Sequence, residues 1–193
     1  MRSITTLILL LSLQFSFSQT QYLTTEPNHS TIGFEIDIAG GASKVTGKFM
    51  EFDLQLEYVE KDWTKSKVVF IILAKSITTG IPDRDDHLRT ADFFEVEKYP
   101  EIRFESSEIS KTGENSYEAK GSFSMHGISE ERSLPFEVVH EEGNTLGIKL
   151  ETSVNRITHQ VGHTFEHTAI ENFLADEVDV RIYFWTRRDK RKS

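Results

Sequence analysis

Apolar and polar residues alternate with a period of two along most of this chain. Ile32, Phe34, Ile36 and Ile38 share one parity, with Gly33, Glu35 and Asp37 between them. Successive side chains of a strand point to opposite faces, so such a run predicts a strand with one buried face. Val45, Gly47 and Phe49 give a second run, and Phe52, Leu54 and Leu56 continue it on the other parity. The slip near Met50 predicts a bulge, which bends a strand. Val68 to Leu73 is apolar on both parities, as in a strand covered on both sides. Ile102 and Phe104 alternate with Arg103 and Glu105. Further runs are Tyr117 to Met125, Leu134 to Val138, Leu146 to Val154 and Val178 to Phe184. Turn signals separate them at Ala39-Gly40-Gly41-Ala42, Gly113-Glu114-Asn115, Gly127-Ile128-Ser129 and Glu142-Gly143-Asn144. About eight short strands with evenly spaced turns predict an all-β sandwich or barrel. Eight strands closed into a barrel are enough to hold one elongated ligand.

One stretch departs from this rhythm, Ser76 to Ser106. Pro82 opens a short helical segment, with Asp83 expected to cap it and Asp85 and Asp86 in its first turn. Tyr99-Pro100 ends it, because proline drives its predecessor to an extended conformation. Leu88, Phe93 and Phe94 are expected to turn toward the core.

The chain has 193 residues, 14 Phe, no Cys and a formal charge of −9. That length suits one domain with a substantial core. The charge argues against nucleic acid as a partner, and the lack of Cys excludes a disulfide scaffold. Met1 to Ser18 reads as a signal peptide: Arg2, an apolar run from Leu7 to Leu13, then Ser16-Phe17-Ser18 as a small-x-small cleavage pattern. The mature domain is expected over residues 19–186, periplasmic or secreted, with a basic and solvated tail over 187–193.

His87-Leu88-Arg89-Thr90-Ala91-Asp92-Phe93-Phe94, Lys98-Tyr99-Pro100 and Phe104-Glu105-Ser106 resemble the central signature of the YceI-like family. His29-Ser30, Gly121-Ser122-Phe123-Ser124-Met125-His126-Gly127-Ile128, Asn155-Arg156 with Gly162, and Leu174-Ala175-Asp176-Glu177-Val178 resemble its other segments in the same order. The family's further His near the first turn is replaced here by Ala39-Gly40-Gly41. The resemblance implies a single antiparallel lipocalin-like β-barrel with short helical segments. It implies an exported, non-enzymatic binder of a polyisoprenoid or similar amphipathic lipid, with a membrane or a quinone-using membrane protein as a transient partner. The family register turns Val68, Phe70 and Ile72 inward and Val69, Ile71 and Leu73 outward, which motivates a homodimer. By strand parity the lipid-lining candidates are Phe34, Ile36, Phe49, Phe70, Ile72, Phe104, Phe123, Phe136, Ile148 and Ile182. Phe93 and Phe94 are expected over one barrel end, and Arg156 is a candidate for an anionic head group.

Other chemistry competes with this reading. His159, His163 and His167 are spaced four apart, which on a helix would stack three imidazoles for a metal such as Zn or Cu. Gly162 and the flanking threonines are poor helix formers, so polar loop histidines are the competing view. His87 beside Asp83, Asp85 and Asp86 suggests an acid–base couple acting on a lipid head group, against a helix with a charged exposed face. His126-Gly127 reads as a turn, with His126 anchoring it by a hydrogen bond. No Gly-x-Ser-x-Gly elbow occurs.

Overall fold

The computed structural model describes residues 19–192, so the segment Met1 to Ser18, expected from its sequence to be a signal peptide, lies outside the described residues. Eleven antiparallel strands are found among them: β1 (Thr20–Thr25), β2 (Thr31–Ile38), β3 (Ser43–Phe49), β4 (Phe52–Val59), β5 (Lys67–Leu73), β6 (Ile77–Thr78), β7 (Glu101–Lys111), β8 (Ser116–Met125), β9 (Ile128–Glu142), β10 (Thr145–Asn155) and β11 (Leu174–Arg188). One α-helix, α1 (Pro82–Arg89), follows β6.

Eight strands close into a barrel in the order β1-β4-β5-β7-β8-β9-β10-β11, and β1 pairs with β11 to complete the ring. The expected all-β antiparallel barrel is therefore what the chain forms, but its membership differs from the runs read above. The parity slip at Met50 is a full break, so β3 and β4 are separate strands. Ser76 fastens the break: its Oγ accepts from Glu51 N at 3.0 Å, and its carbonyl accepts from Met50 N at 3.1 Å. The ring includes β1, whose sequence TQYLTT shows only a weak alternation.

Closure is uneven along the barrel axis. β11 is 15 residues long. Its last turnward residues, Thr186 to Arg188, pair with Thr25 to Leu23 of β1. Its first part, Leu174 to Tyr183, pairs with β2 instead. β2 pairs along its length with β3, and β3 meets β6 only at Lys48 and Phe49. At this second end the wall is completed by α1 and by the segment 156–173 rather than by a strand ladder.

The two ends are filled differently. At the end closed by β1, Trp63 packs against Tyr58, Tyr117 and Phe136 with ring centroids 5.1, 5.7 and 5.4 Å away. Phe70 stacks on Phe104 at 5.4 Å. The buried Tyr58 hydroxyl donates to Glu141, whose other oxygen accepts from Trp63 Nε1 at 3.4 Å. Burial, first, and then this carboxylate push the Tyr58 pKa up, so the phenol stays a donor. The basic chain end also docks here. Asp189 N donates to Tyr22 O, and Arg191 bridges Asp189 and Asp53, so residues expected as a solvated tail are held against β1 and β4. The outer face of β5 is half-buried at Val69, Ile71 and Leu73, between the charged neighbours Asp53 on β4 and Arg103 and Glu105 on β7.

Gly121 shows how tightly the ladder is set. It faces Ser106 where β7 shifts register before Glu108. A Cβ at 121 would overlap Glu105 O and lie 2.7 Å from Ser106 Cα, both backbone atoms, whereas one at Gly33 would make ordinary contact at 3.7 Å. Gly121→Ala is therefore expected to destabilise by roughly 3 kcal/mol through backbone displacement, and Gly33→Ala to stay within about 1 kcal/mol. Urea unfolding of the two variants checks this, and equal costs would refute it.

Candidate functional site

The loosely closed end encloses a cavity of ≈ 360 Å³. Strand parity supplies most of its wall. Phe34 and Ile36 come from β2, Phe49 from β3, Phe70 and Ile72 from β5, Phe123 from β8 and Ile182 from β11; all line it. Phe93 and Phe94, in the turns after α1, line it too, with Phe93 buried and Phe94 half-buried. Phe104, Phe136 and Ile148 do not. They face inward, as parity requires, but at the packed end, where they border a gap of only ≈ 40 Å³. Parity separates inside from outside and carries no information about position along the axis. Phe70, Leu134 and Leu150 border both spaces and form the floor between them.

Several wall residues were not among the candidates. Ile38, Val45, Met125, Val154, Val178 and Val180 carry the same parity signal as their neighbours on the same strands. Val161, Phe165 and Phe173 come from the segment 156–173, which has no periodicity to reveal them. An aromatic collar marks the mouth: Phe49 packs on Phe34 and Phe94 at 5.9 and 6.0 Å, and Phe165 on Phe93 at 5.4 Å.

Arg156 borders this cavity but is not a free head-group ligand. It is 8% exposed. Its Nε donates to Ala175 O at 2.7 Å, Nη1 to Val161 O and Gly162 O at 3.1 and 2.7 Å, and Nη2 to Leu174 O at 3.3 Å. Nη2 also lies 3.6 Å from Asp176. All three of its nitrogens thus donate, in four hydrogen bonds, to the two ends of the loop that covers the mouth. Burial lowers its pKa, against the pull of Asp176. Gly162 belongs to the same device: at φ +61° it turns the loop, and a Cβ there would lie 2.5 Å from the Phe93 ring.

The three spaced histidines do not converge. Positive φ at Gln160 and Gly162 breaks any helix across them. His159, 1% exposed, sits edge-on to Phe123 at 5.2 Å and 3.4 Å from Glu130. His163 bonds Gln160 O, and His167 stacks on Phe173 at 4.2 Å while accepting from Ala169 N and Ile170 N. Among the described residues no group of three or more His, Asp or Glu is arranged to hold a metal ion. His126 bonds across to His159 O at 3.0 Å and packs on Tyr99, so it anchors the covering loop rather than its own turn.

The couple expected at α1 also divides. His87 Nε2 pairs with Asp92 at 2.8 Å. Asp83 does not cap the helix; Ile81 occupies that position without a side-chain bond, and Pro82 begins the helix. Asp85 is 7% exposed and turns back to β6, accepting from Thr78 Oγ1 and Thr79 N at 2.7 Å each and from Thr79 Oγ1 at 2.5 Å. Burial alone would raise its pKa, but these three bonds and the charge of Arg89 hold it below the ordinary carboxylate value. Arg89 completes the rivet, donating to Lys75 O and Ile77 O at 2.9 Å each. The helix is thereby fixed to β6 and its flanking residues, where the strand ladder stops.

Two outcomes follow from these anchors. Arg156→Met is expected to cost roughly 3 kcal/mol by stranding loop carbonyls. It should also speed hydrogen exchange at Gln160, Val161 and Phe165, with Arg156→Lys failing to restore protection because one ammonium does not span four carbonyls. Unchanged exchange would refute the anchoring role. For Asp85 the folded pKa is depressed, so its contribution is complete above the ordinary value of 3.8 and is lost as pH falls through the lower folded value. Asp85→Asn is expected to be less stable than wild type by about 2 kcal/mol at pH 7, with the gap narrowing as urea unfolding is repeated toward pH 3. A constant gap would refute the linkage.

Comparison with known proteins agrees with this architecture. The structure superposes on the crystal structure of BcnA from Burkholderia cenocepacia with a TM-score of 0.74 at 21% identity, covering 84% of this chain and 98% of that one. It superposes on a polyisoprenoid binding domain from Saccharophagus degradans with a TM-score of 0.71 at 13% identity, covering 88% and 99%. At these identities the likeness shows the fold. In sequence, a UPF0312 protein of Photorhabdus laumondii is 33% identical over 133 residues, 69% of this chain and 68% of that protein. One of Serratia proteamaculans is 32% identical over 139 residues, 72% and 71% respectively. The YceI-like domain matches residues 23–185, spanning β1 to β11 and both walls of the cavity, and the chain belongs to the YceI-like domain family.

Proposed function

We propose that this protein is an exported carrier that holds the apolar chain of an isoprenoid or similar amphipathic lipid in its barrel and acts by binding rather than turnover. The observation that carries the reading is the division of the barrel into a packed half and a hollow half. A barrel that needed only stability would gain by filling both, since unfilled core volume costs free energy. Here the hollow half is walled by side chains that gain from contact with hydrocarbon, and each methylene moved from water into it contributes about 0.8 kcal/mol. The family and the polyisoprenoid binding domain of Saccharophagus degradans support a lipid of that class. The leader-like pattern of Met1 to Ser18 supports export, with the periplasm as the site of action.

The geometry favours a tail-in arrangement. The floor of Phe70, Leu134 and Leu150 is apolar, while Arg84 and His87 lie on α1 at the mouth. At about 30 Å³ for a water-sized group, the enclosed part takes on the order of a dozen heavy atoms, or about two to three isoprene units. The remainder of a longer chain would lie along the half-buried rim of Ile36, Ile38, Val45 and Phe173.

Native mass spectrometry of protein recovered from its own periplasm, followed by solvent extraction, tests this. A chain beginning at Gln19 with a discrete added mass that extracts unchanged as a prenyl-type lipid is the expected result. A bare chain that takes up neither added quinone nor polyprenol would overturn the reading. Val180→Trp, which fills the hollow half from a half-buried position, is expected to abolish retention. Phe136→Leu in the packed half should lose roughly 1 kcal/mol of stability and keep its lipid.

A further inference from the structure

Four basic side chains border the cavity: Arg84, His87, Arg132 and Arg156. Three of them have a carboxylate against them. His87 pairs with Asp92 at 2.8 Å, Arg132 with Glu130 at 3.1 Å and Arg156 with Asp176 at 3.6 Å. Among the described residues Arg84 forms no ion pair. This stands out in a chain of formal charge −9, in which carboxylates outnumber cations.

Arg84 is also held in place. Its Nε donates to Thr79 Oγ1 at 2.7 Å and its Nη2 to Thr79 O at 3.4 Å. The Thr79 hydroxyl is itself fixed by donating to Asp85. Asp85 is therefore one hydroxyl removed from the guanidinium, and its oxygens are already occupied by Thr78 and Thr79. One edge of the Arg84 fork is oriented by Thr79, and Nη1 has no protein partner among the described residues. A half-buried, oriented guanidinium at the mouth of an apolar cavity lacks the one thing a guanidinium pairs with best, an oxyanion.

We infer that Arg84 selects amphiphiles with an anionic oxyacid head, a carboxylate or a phosphate, over neutral ones of the same chain. The inference rests on the carrier reading and adds the head-group class to it. In the tail-in arrangement the head reaches α1 as the chain fills the space above Phe70. The anion then supplies to Arg84 the counter-charge that Glu130 and Asp176 supply to Arg132 and Arg156. Arg84 thus acts as a specificity-determining residue.

Three ligands of one chain separate the possibilities: farnesol, farnesoic acid and farnesyl phosphate, titrated calorimetrically into delipidated protein. Wild type is expected to bind at least one acid about tenfold or more tightly than farnesol, the gain of a charge-assisted hydrogen bond. Which acid is preferred identifies carboxylate or phosphate as the source. Arg84→Gln should erase that preference, bringing the affinity for the preferred acid to within about twofold of that for farnesol measured in the same variant. Equal affinity for acid and alcohol in wild type, or a preference that survives Arg84→Gln, overturns the inference while leaving the carrier reading intact. Binding of none of the three overturns the carrier reading instead. Should Arg84→Gln not fold, salt decides with the wild-type protein alone. The acidic protein at large repels an anion, so added salt would strengthen acid binding unless a local cation dominates. Acid affinity falling with salt, with farnesol unaffected, is expected. An acid affinity that rises with salt, or is unchanged by it, refutes the role of Arg84.

Discussion

The edge of β11 is the constraint on which this structure depends. A strand has one edge on each side, and β10 takes one edge of β11 from Gly147 to Asn155. The other edge is divided between β1 at Thr186 to Arg188 and β2 at Leu174 to Tyr183. Only the β1 portion leads on to β4 and closes the ring. The β2 portion leads through β3 to a two-residue contact with β6, and the ladder stops there. Hydrogen-bonded closure draws the walls together at one end, where Trp63 and its neighbours fill the interior. Where the ladder stops, the wall must be completed by α1 and the covering loop, and the space they roof is larger than the side chains pointing into it.

Completing a wall without a ladder leaves backbone groups that still need partners. This explains where the polar anchors are. Arg156 takes carbonyls from both ends of the covering loop; Arg89 takes Lys75 O and Ile77 O; Asp85 takes the Thr79 N–H. These charged groups do at one end of the barrel what strand pairing does at the other. Each is costly to bury unless fully bonded, which is why their bonds are nearly saturated and why they are unavailable for chemistry on a ligand.

Strand identity and side-chain direction were legible in the sequence because both follow from a period of two. Phe34, Ile36, Phe49, Phe70, Ile72, Phe123 and Ile182 point inward by that rule and border the cavity. Phe104, Phe136 and Ile148 point inward by the same rule but border the packed end, since inwardness is local and depth along the barrel depends on which strands pair with which. Arg156 shows a second limit. An arginine after an apolar strand looks the same in sequence whether it meets a ligand or five backbone and carboxylate acceptors. Its role was settled by residues up to about twenty positions away, the carbonyls of Val161 to Ala175. The histidines at 159, 163 and 167 failed as a metal set because their spacing matters only on a helix, and Gln160 and Gly162 adopt positive φ.

The rim of the cavity is itself apolar. Phe34, Ile36, Ile38, Val45, Leu88, Phe94, Phe165 and Phe173 are all half-buried, and they surround one opening. Apolar residues scattered singly over a surface need no explanation, but a contiguous set around a cavity does. Leaving them in water forgoes part of the hydrophobic term that stabilises the rest of the barrel. A chain entering the hollow half would recover that term on two fronts, inside against Phe70 and Leu150 and outside along the rim. Because apolar burial is non-directional, it would bind many chains of similar girth about equally well. Selectivity among them must then come from the few groups whose interactions have direction, and at this mouth those are the donors of α1.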